Sequence, residues 1–474
     1  MAGKSVKTAL ALACIAQFLV LFDMSVITVA LPSMQEDLGV GPGVLQWVVN
    51  AYTLSFAALL LLGGRLADLY GHRRVFVAGL AVFTAASLVG GVATSPAVLI
   101  AARAAQGVGA AVLAPLALTM ITTTFPEGAK RTRAMTISTA VSLVGGAAGN
   151  LLGGVITEYL TWRSVLLVNV PIGIPVIWFA LRALSERTDR SHRARLDLPG
   201  AVLATAGLTL LTFGASQTHA HAWTDPAAAV PLLGGVAALA AFVLVEARFA
   251  AAPLIPPRLF GLPGIAWGNV AMLLAGASQV PVWYFLTLTM QDVLRYDAAQ
   301  TGAGFLPHAV LMLAVGLRLT PVLMRHLQAK VVISLGGVLG AIGFWWQSTI
   351  TPDSDYLTGV LGPAVLISLA GGLIGTPLAR TVTSGVTVAD AGAASGLMNT
   401  TRQFGGALGL AVLITLTTAN STAAPAALAD SYGNAFLGIA AVMLALAVIA
   451  PVLPALRDAP LDAVPPRAAE STRV

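Results

Sequence analysis

Gly64-Arg65-Leu66-Ala67-Asp68-Leu69-Tyr70-Gly71-His72-Arg73-Arg74 is a short basic interruption between two long apolar runs. Its glycines permit a tight turn, and Asp68 is placed to meet a cation or a helix N-terminus. Arg73 and Arg74 hold the connection on the cytoplasmic side of a membrane. Any basic loop fixes topology, but two glycines and an acid at this spacing form a more specific signal. Outward from this loop, apolar runs between charged or Gly/Pro-rich breaks give spans near 8–30, 44–64, 75–94, 97–121, 134–158, 163–183, 198–217, 229–248, 263–288, 302–323, 331–350, 356–379, 396–419 and 433–456, fourteen in all.

Composition agrees with that count. Of 474 residues, 57% are hydrophobic and 10% charged, against about 25% charged in an ordinary soluble domain. Fourteen spans of about 20 residues take roughly 280 residues, leaving short connections and no room for a large domain outside the bilayer. The net charge is +6, which in a soluble protein suggests nucleic acid, but placement decides its meaning. With both termini cytoplasmic, 21 of the 26 Lys and Arg residues fall in inside connections, as the positive-inside rule requires. No nucleic-acid partner is expected. Cys14 is the only cysteine, so neither an intrachain disulfide nor a cysteine-based metal site can form. The first run follows Lys4 and Lys7 and is expected to be a retained helix rather than a cleaved signal.

The longest charged run, Ser185 to Arg195, separates six spans from two, and Pro253, Pro256, Pro257 and Pro263 punctuate the approach to the last six. The expected organisation is a first six-helix bundle (1–184), a cytoplasmic linker with two additional helices (185–262), a second six-helix bundle (263–457) and a disordered cytoplasmic tail (458–474). Gly145-Gly-Ala-Ala-Gly149 in the fifth span is echoed by Gly405-Gly-Ala-Leu-Gly409 in the fifth span of the second six. Small residues also let helices pack closely for their own sake; the matching position favours a repeat of the kind that builds transporters around a central site.

Three further segments join the opening loop: Asp23 to Pro32 in span one, Arg103-Ala-Ala-Gln106-Gly107-Val-Gly109 in span four, and Gly145, Gly149, Asn150, Gly153 and Gly154 in span five. Trp162-Arg163, Asn169-Val-Pro-Ile-Gly173 and Ala394 to Gln403 follow. Together these resemble the major facilitator superfamily, and in particular its fourteen-helix drug:proton antiporter branch, over nearly the whole chain. The resemblance implies an all-α polytopic membrane protein with the major facilitator fold: two six-helix bundles around a central cavity, plus two inserted helices. It implies a transporter rather than an enzyme, working by alternating access, driven by the proton gradient and needing no cofactor. It also implies that Gly64, Asp68, Gly71, Arg73 and Arg74 act as a cytoplasmic latch, that Arg103 supports proton coupling, and that the glycine-rich fifth span is the antiporter motif. One departure bears on direction. That motif usually carries proline after its middle glycine, and here Asn150 stands there, keeping a backbone N–H that proline would lack.

Asp23 is the only carboxylate deep in an expected span. Placing a charged Asp there costs at least about 2.5–3.5 kcal/mol, so a functional role is the default. The expectation is that Asp23 takes a proton from outside and releases it inside, with Arg103 as its partner and a cationic substrate favoured by its ionised form. Arg402 stands beside Asn399 and Gln403, where snorkelling to the cytoplasmic face and a place in the cavity are both open. His308 is open between a proton shuttle and a structural, hydrogen-bonded side chain. The candidate cavity residues are Asn50, Tyr52, Gln106, Asn150, Gln279, Trp283, Tyr284, Asn399, Arg402 and Gln403, whose aromatic faces suit flat apolar or cationic compounds.

The reading is a proton-coupled exporter of small amphipathic compounds, neutral, zwitterionic or monovalent, for resistance or for export of the producer's own metabolite. An anionic substrate meeting Arg103 or Arg402 stays open, as do a proton-coupled uptake symporter of the same fold and a non-transporting membrane sensor. ATP-driven pumping finds no support, because no G-x-x-x-x-G-K-[ST] loop is present. The expected setting is the bacterial cytoplasmic membrane, with the chain working as a monomer; Arg outnumbers Lys 22 to 4, as in a GC-rich bacterial source.

Overall fold

The computed structural model describes residues 2–125, 129–184, 197–218, 221–250, 253–387, 390–417 and 423–454. The charged run from Ser185 to Arg195 and the tail 458–474 lie outside these. Among the described residues the chain is helical throughout, with no strand. The first six spans are α1 (Ala2–Leu38), α2 (Pro42–Tyr70), α3 (His72–Gly91), α4 (Pro96–Thr124), α5 (Ala129–Tyr159) and a broken sixth made of α6 (Trp162–Leu167) and α7 (Asn169–Ala183). Two more follow, α8 (Leu198–Gln217) and α9 (Pro226–Arg248). The last six begin with α10 (Pro263–Leu288), continue through a span pieced from α11 (Ala298–Gly304), α12 (Leu306–Ala314) and α13 (Thr320–His326), and end with α14 (Ala329–Gln347), α15 (Gly362–Thr383), α16 (Ala391–Ile414) and α17 (Pro425–Ile449).

Thirteen described helices are long and apolar enough to cross a bilayer. α16 is the fourteenth by length, since its 24 residues reach about 36 Å at about 1.5 Å per residue. Its run Asn399-Thr400-Thr401-Arg402-Gln403 lowers its hydropathy. The helix starts follow from local chemistry. Ser95 precedes Pro96, and its side chain accepts from Val98 N. Asp225 precedes Pro226 and accepts from Ala227 N, and Asp297 and Gln300 form a reciprocal capping box on α11. Between α2 and α3 the chain turns at Gly71, whose φ of 90° is a left-handed conformation open to glycine. Arg73 then donates to the Leu181 carbonyl at the end of α7, tying the loop to one of the unpaired carbonyls of a helix C-terminus. The Asp68 side chain lies outside what is described.

α1 packs on α5, and α4 packs on α2 and α3; in the second half α10 packs on α16 and α14 on α15 and α17. α8 and α9 form a hairpin, of which α8 touches both α2 and α16, so the inserted pair bridges the two halves. α9 faces outward, with Leu233 71% exposed, as a lipid-facing helix does. The glycine echo noted in the sequence has one structural meaning in both halves. A Cβ on Gly145 or Gly149 would stand 2.9 Å from the Phe18 carbonyl oxygen or 2.6 Å from that of Phe22, on α1. A Cβ on Gly405 or Gly409 would likewise meet backbone of α10 at Leu273 and Ala277. The fifth span of each half thus lies against the first, backbone to backbone, which small residues permit. α5 runs unbroken from Ala129 to Tyr159 with no proline inside it, as Asn150 in place of proline allows.

At the C-terminal end of α1, Trp162 Nε1 and Arg163 both donate to Asp37, at 3.1 and 2.8 Å. The two halves meet there as well. Gln291 Nε2 donates to the Val29 carbonyl at 2.9 Å, and Ala298 N donates to Glu158 at 3.2 Å. Gly154 and Gly302 let α5 and α11 touch backbone to backbone, against Ala298 and Asn150 respectively.

Candidate functional site

Four helices of the first half gather around Asp23 of α1. From α4, Arg103 Nη1 reaches Asp23 Oδ2 at 2.6 Å, and Gln106 Nε2 donates to Oδ1 at 3.0 Å. From α7, Asn169 Nδ2 donates to the same Oδ1 at 2.8 Å. From α3, Ser87 Oγ accepts from Gln106 Nε2 at 2.7 Å. From α2, the Val48 carbonyl accepts from Arg103 Nε at 3.0 Å, and the Tyr52 ring lies 4.4 Å beneath the guanidinium, a cation–π contact. Gln106 Oε1 takes a further bond from Arg103 Nη1 at 2.8 Å. Asp23, Gln106, Ser87 and Asn169 are wholly buried, and Arg103 and Tyr52 are each 1% exposed.

Such a cluster follows from physical necessity. Two charges removed from water persist only when they meet each other and their remaining donors and acceptors are satisfied. The spacing of Arg103 and Gln106 puts both on one face of α4, toward α1. Arg103, Gln106 and Asn169 each present a donor to the Asp23 carboxyl oxygens, the set of partners an ionised carboxylate calls for. A proton on Asp23 brings a second donor into a ring of donors and leaves Arg103 facing a neutral group. The network thus ties α1, α4 and α7 to one another through a single carboxylate.

Asn169→Leu removes one of the three donors on Asp23 and is expected to lower stability by about 1.5–3 kcal/mol, the value of a hydrogen bond to a charged group. Thermal unfolding of the purified protein in detergent reads this; an unchanged midpoint would mean that the bond carries no weight.

A separate cavity of about 160 Å³ lies within the second half, lined from α10, α12, α14, α15, α16 and α17. Gln279, Trp283, His308 and Arg402 bring its polar and aromatic character, and Met272, Met312, Met398 and Met443 give it a lining able to adapt its shape. Three of the ten sequence candidates, Gln279, Trp283 and Arg402, thus share this cavity. The other seven stand elsewhere. Tyr52 and Gln106 belong to the Asp23 cluster, and Asn50 is wholly buried on α2 with neither amide atom hydrogen-bonded. Asn150 sits where α5 meets α11. Tyr284 is 1% exposed and packs edge-on against Phe285. Asn399 donates to the Ser395 carbonyl on its own helix, with Oδ1 3.4 Å from Arg402 Nη2, and Gln403 is buried.

Ser87 and Asn169 carry part of the cluster but were not among the sequence candidates. Asn169 had a signal, as an amide in an otherwise apolar span beside Pro171 and Gly173. Ser87 had none, since a single serine in a helix reads as a residue bonded to its own backbone, which Ser87 also is, through Phe83 O at 2.8 Å.

The comparisons with known proteins agree with this architecture. The family model described as Major Facilitator Superfamily matches residues 13–410. A cephamycin export protein of Amycolatopsis lactamdurans is 72% identical over 450 residues, 95% of this chain and 93% of its own. A puromycin resistance protein of Streptomyces alboniger is 39% identical over 455 residues, 92% of this chain and 89% of its own. Among solved structures, the nucleoside transporter NupG superposes with a TM-score of 0.68 over 94% of this chain and 99% of its own at 13% identity, a likeness of fold alone. With its two six-helix halves, its bridging pair of helices and a family match across most of its length, the chain belongs to the major facilitator superfamily and is a multi-pass membrane transporter.

Proposed function

We propose that this transporter exports small amphipathic compounds, antibiotics of the kind named for its relatives, in exchange for protons and by alternating access between its two halves. Identity of 72% to a cephamycin export protein supports export and makes a cephamycin the first compound to test, in resistance or in release of the producer's own metabolite. The observation that carries the coupling is the Asp23–Arg103 pair at 2.6 Å, buried at the centre of the first half. In this reading the chain works as a monomer in the bacterial cytoplasmic membrane with both termini inside, uses no cofactor and draws its energy from the proton gradient.

Inverted membrane vesicles decide between export and uptake. With the lumen made acid, cephamycin is expected to accumulate inside as protons leave, and a protonophore is expected to abolish the accumulation. Loss of preloaded compound under the same gradient would identify a symporter, and no movement in either direction would sink transport of this compound.

A further inference from the structure

Three arginines, Arg103, Arg318 and Arg402, stand inside the spans away from their ends, and they are in three different states. Arg103 is engaged by Asp23, Gln106 and the Val48 carbonyl. Arg318 is exposed in the helical turn Val315–Leu319. Arg402 lines the cavity of the second half. Among the described residues no carboxylate lies within ion-pairing distance of it. Its Nε is buried without a hydrogen-bond partner, and its one side-chain bond is a long one, 3.4 Å from Nη2 to Asn399 Oδ1.

His308 lines the same cavity. It is 2% exposed, its Nδ1 is 3.4 Å from Ser368 Oγ, and its Nε2 has no partner. In the tautomer in which Nδ1 accepts from Ser368, the neutral ring carries its proton on Nε2, a donor left without a partner. Trp283 holds the ring edge-on at 5.7 Å. Gln279 and Ser278 add polar groups, and the rest of the lining is apolar and rich in methionine. A half-buried cation with no acid beside it is an unfavourable arrangement, and a guanidinium is the side chain best matched to a carboxylate.

We propose that Arg402 and His308 form a receptor for the acid group of the transported compound, so that the substrate is an amphipathic organic acid. Its carboxylate or sulfonate meets Arg402 and the His308 Nε2–H, and the apolar body attached to it meets Trp283 and the methionines. The cavity, about 160 Å³, holds the acid end of a drug-sized molecule rather than the whole of it. The favoured charge is thereby opposite to the cation that Asp23 alone suggests, because Asp23 is already occupied by Arg103. This inference rests on the export reading for the direction of movement, but not for binding.

The test is equilibrium binding to the purified full-length protein in detergent, with no gradient applied. The probes are cefoxitin, a cephamycin-type β-lactam with one carboxylate, and its uncharged methyl ester. The acid is expected to bind at least about ten-fold more tightly than the ester, the effect of one charge-assisted contact. Arg402→Gln is expected to remove most of that difference, Arg402→Lys to keep part of it, and His308→Phe to weaken the acid several-fold and the ester by less. Equal binding of acid and ester to the unaltered protein, absence of saturable acid binding, or full discrimination retained in Arg402→Gln would each overturn the proposal. Should Arg402→Gln not fold, the acid–ester comparison on the unaltered protein still decides. Selective binding of the acid by a protein that moves nothing in vesicles would overturn the export reading and leave this one standing.

Discussion

Asp23→Asn is expected to abolish substrate-dependent proton movement, a loss of 100-fold or more on the order of what removal of an essential acid–base group brings. The asparagine preserves volume but cannot carry the proton. It also leaves Arg103, 1% exposed, facing a neutral amide, and breaking a buried pair by removing one member costs about 3–5 kcal/mol. Loss of activity could then be loss of fold, so a second variant is needed. Asp23→Asn combined with Arg103→Gln removes both charges, and replacing a buried pair as a whole is often neutral or stabilising. The double variant is expected to recover the thermal stability lost by the single one and to remain uncoupled. The assay is proton efflux on substrate addition in acid-loaded inverted vesicles, beside thermal unfolding of the purified protein. Proton exchange at the unaltered rate in either variant would remove Asp23 from the coupling site.

Gly149→Leu is the substitution expected to do most damage away from any charge. A Cβ at this position would stand 2.6 Å from the Phe22 carbonyl oxygen and 2.8 Å from Ser25 Cβ, and backbone cannot yield as a flexible side chain does. α5 and α1 must separate, at a cost of about 1–3 kcal/mol for overpacking alone. Phe22 is the residue before Asp23, so a shift of α1 also moves the carboxylate relative to α4, and a bond of 2.6 Å to Arg103 does not survive a displacement of 1 Å. Transport is expected to fall by more than about ten-fold, since misplacing a group by about 1 Å can cost about 100-fold. Gly146→Ala is the control. Its Cβ would find only Ser25 Oγ, at 3.5 Å, ordinary contact, and its effect on stability is expected within about 0.5 kcal/mol. Comparable damage from both substitutions would mean that close approach of α1 and α5 is not what Gly149 supplies.

Much of the molecule was legible because a bilayer imposes its rules locally. A span must be about 20 residues of apolar chain, and its interruptions carry the charge, so the fourteen runs and the turn at Gly71 could be read one at a time. The break at Val168 and the piecing of the tenth span from α11, α12 and α13 could not. They depend on how neighbouring helices satisfy the freed backbone groups. The ten cavity candidates were picked because they are polar or aromatic within spans, and polarity alone does not say which neighbour a side chain meets. Asn50, Tyr52 and Gln106 turned into the first half, Tyr284 into a nest of aromatic rings, and only Gln279, Trp283 and Arg402 into the cavity.

By itself, the sequence determined that this chain crosses a membrane many times, where it does so, that Asp23 and Arg103 are charges too unfavourable to be incidental, and that glycines recur in the fifth span of each half. The pairing of Asp23 with Arg103 was expected from the sequence and is met at 2.6 Å; only the tertiary structure decided that Asn169, 146 positions away, and Ser87 complete the cluster, and that Arg402 has no acid beside it among the described residues. The reason is physical. Inside a bilayer, lipid-facing and core-facing residues are equally apolar, so the pattern along a helix does not reveal its buried face. That face is chosen when the helices pack, through the glycines that let backbones touch and the few polar groups that must find one another.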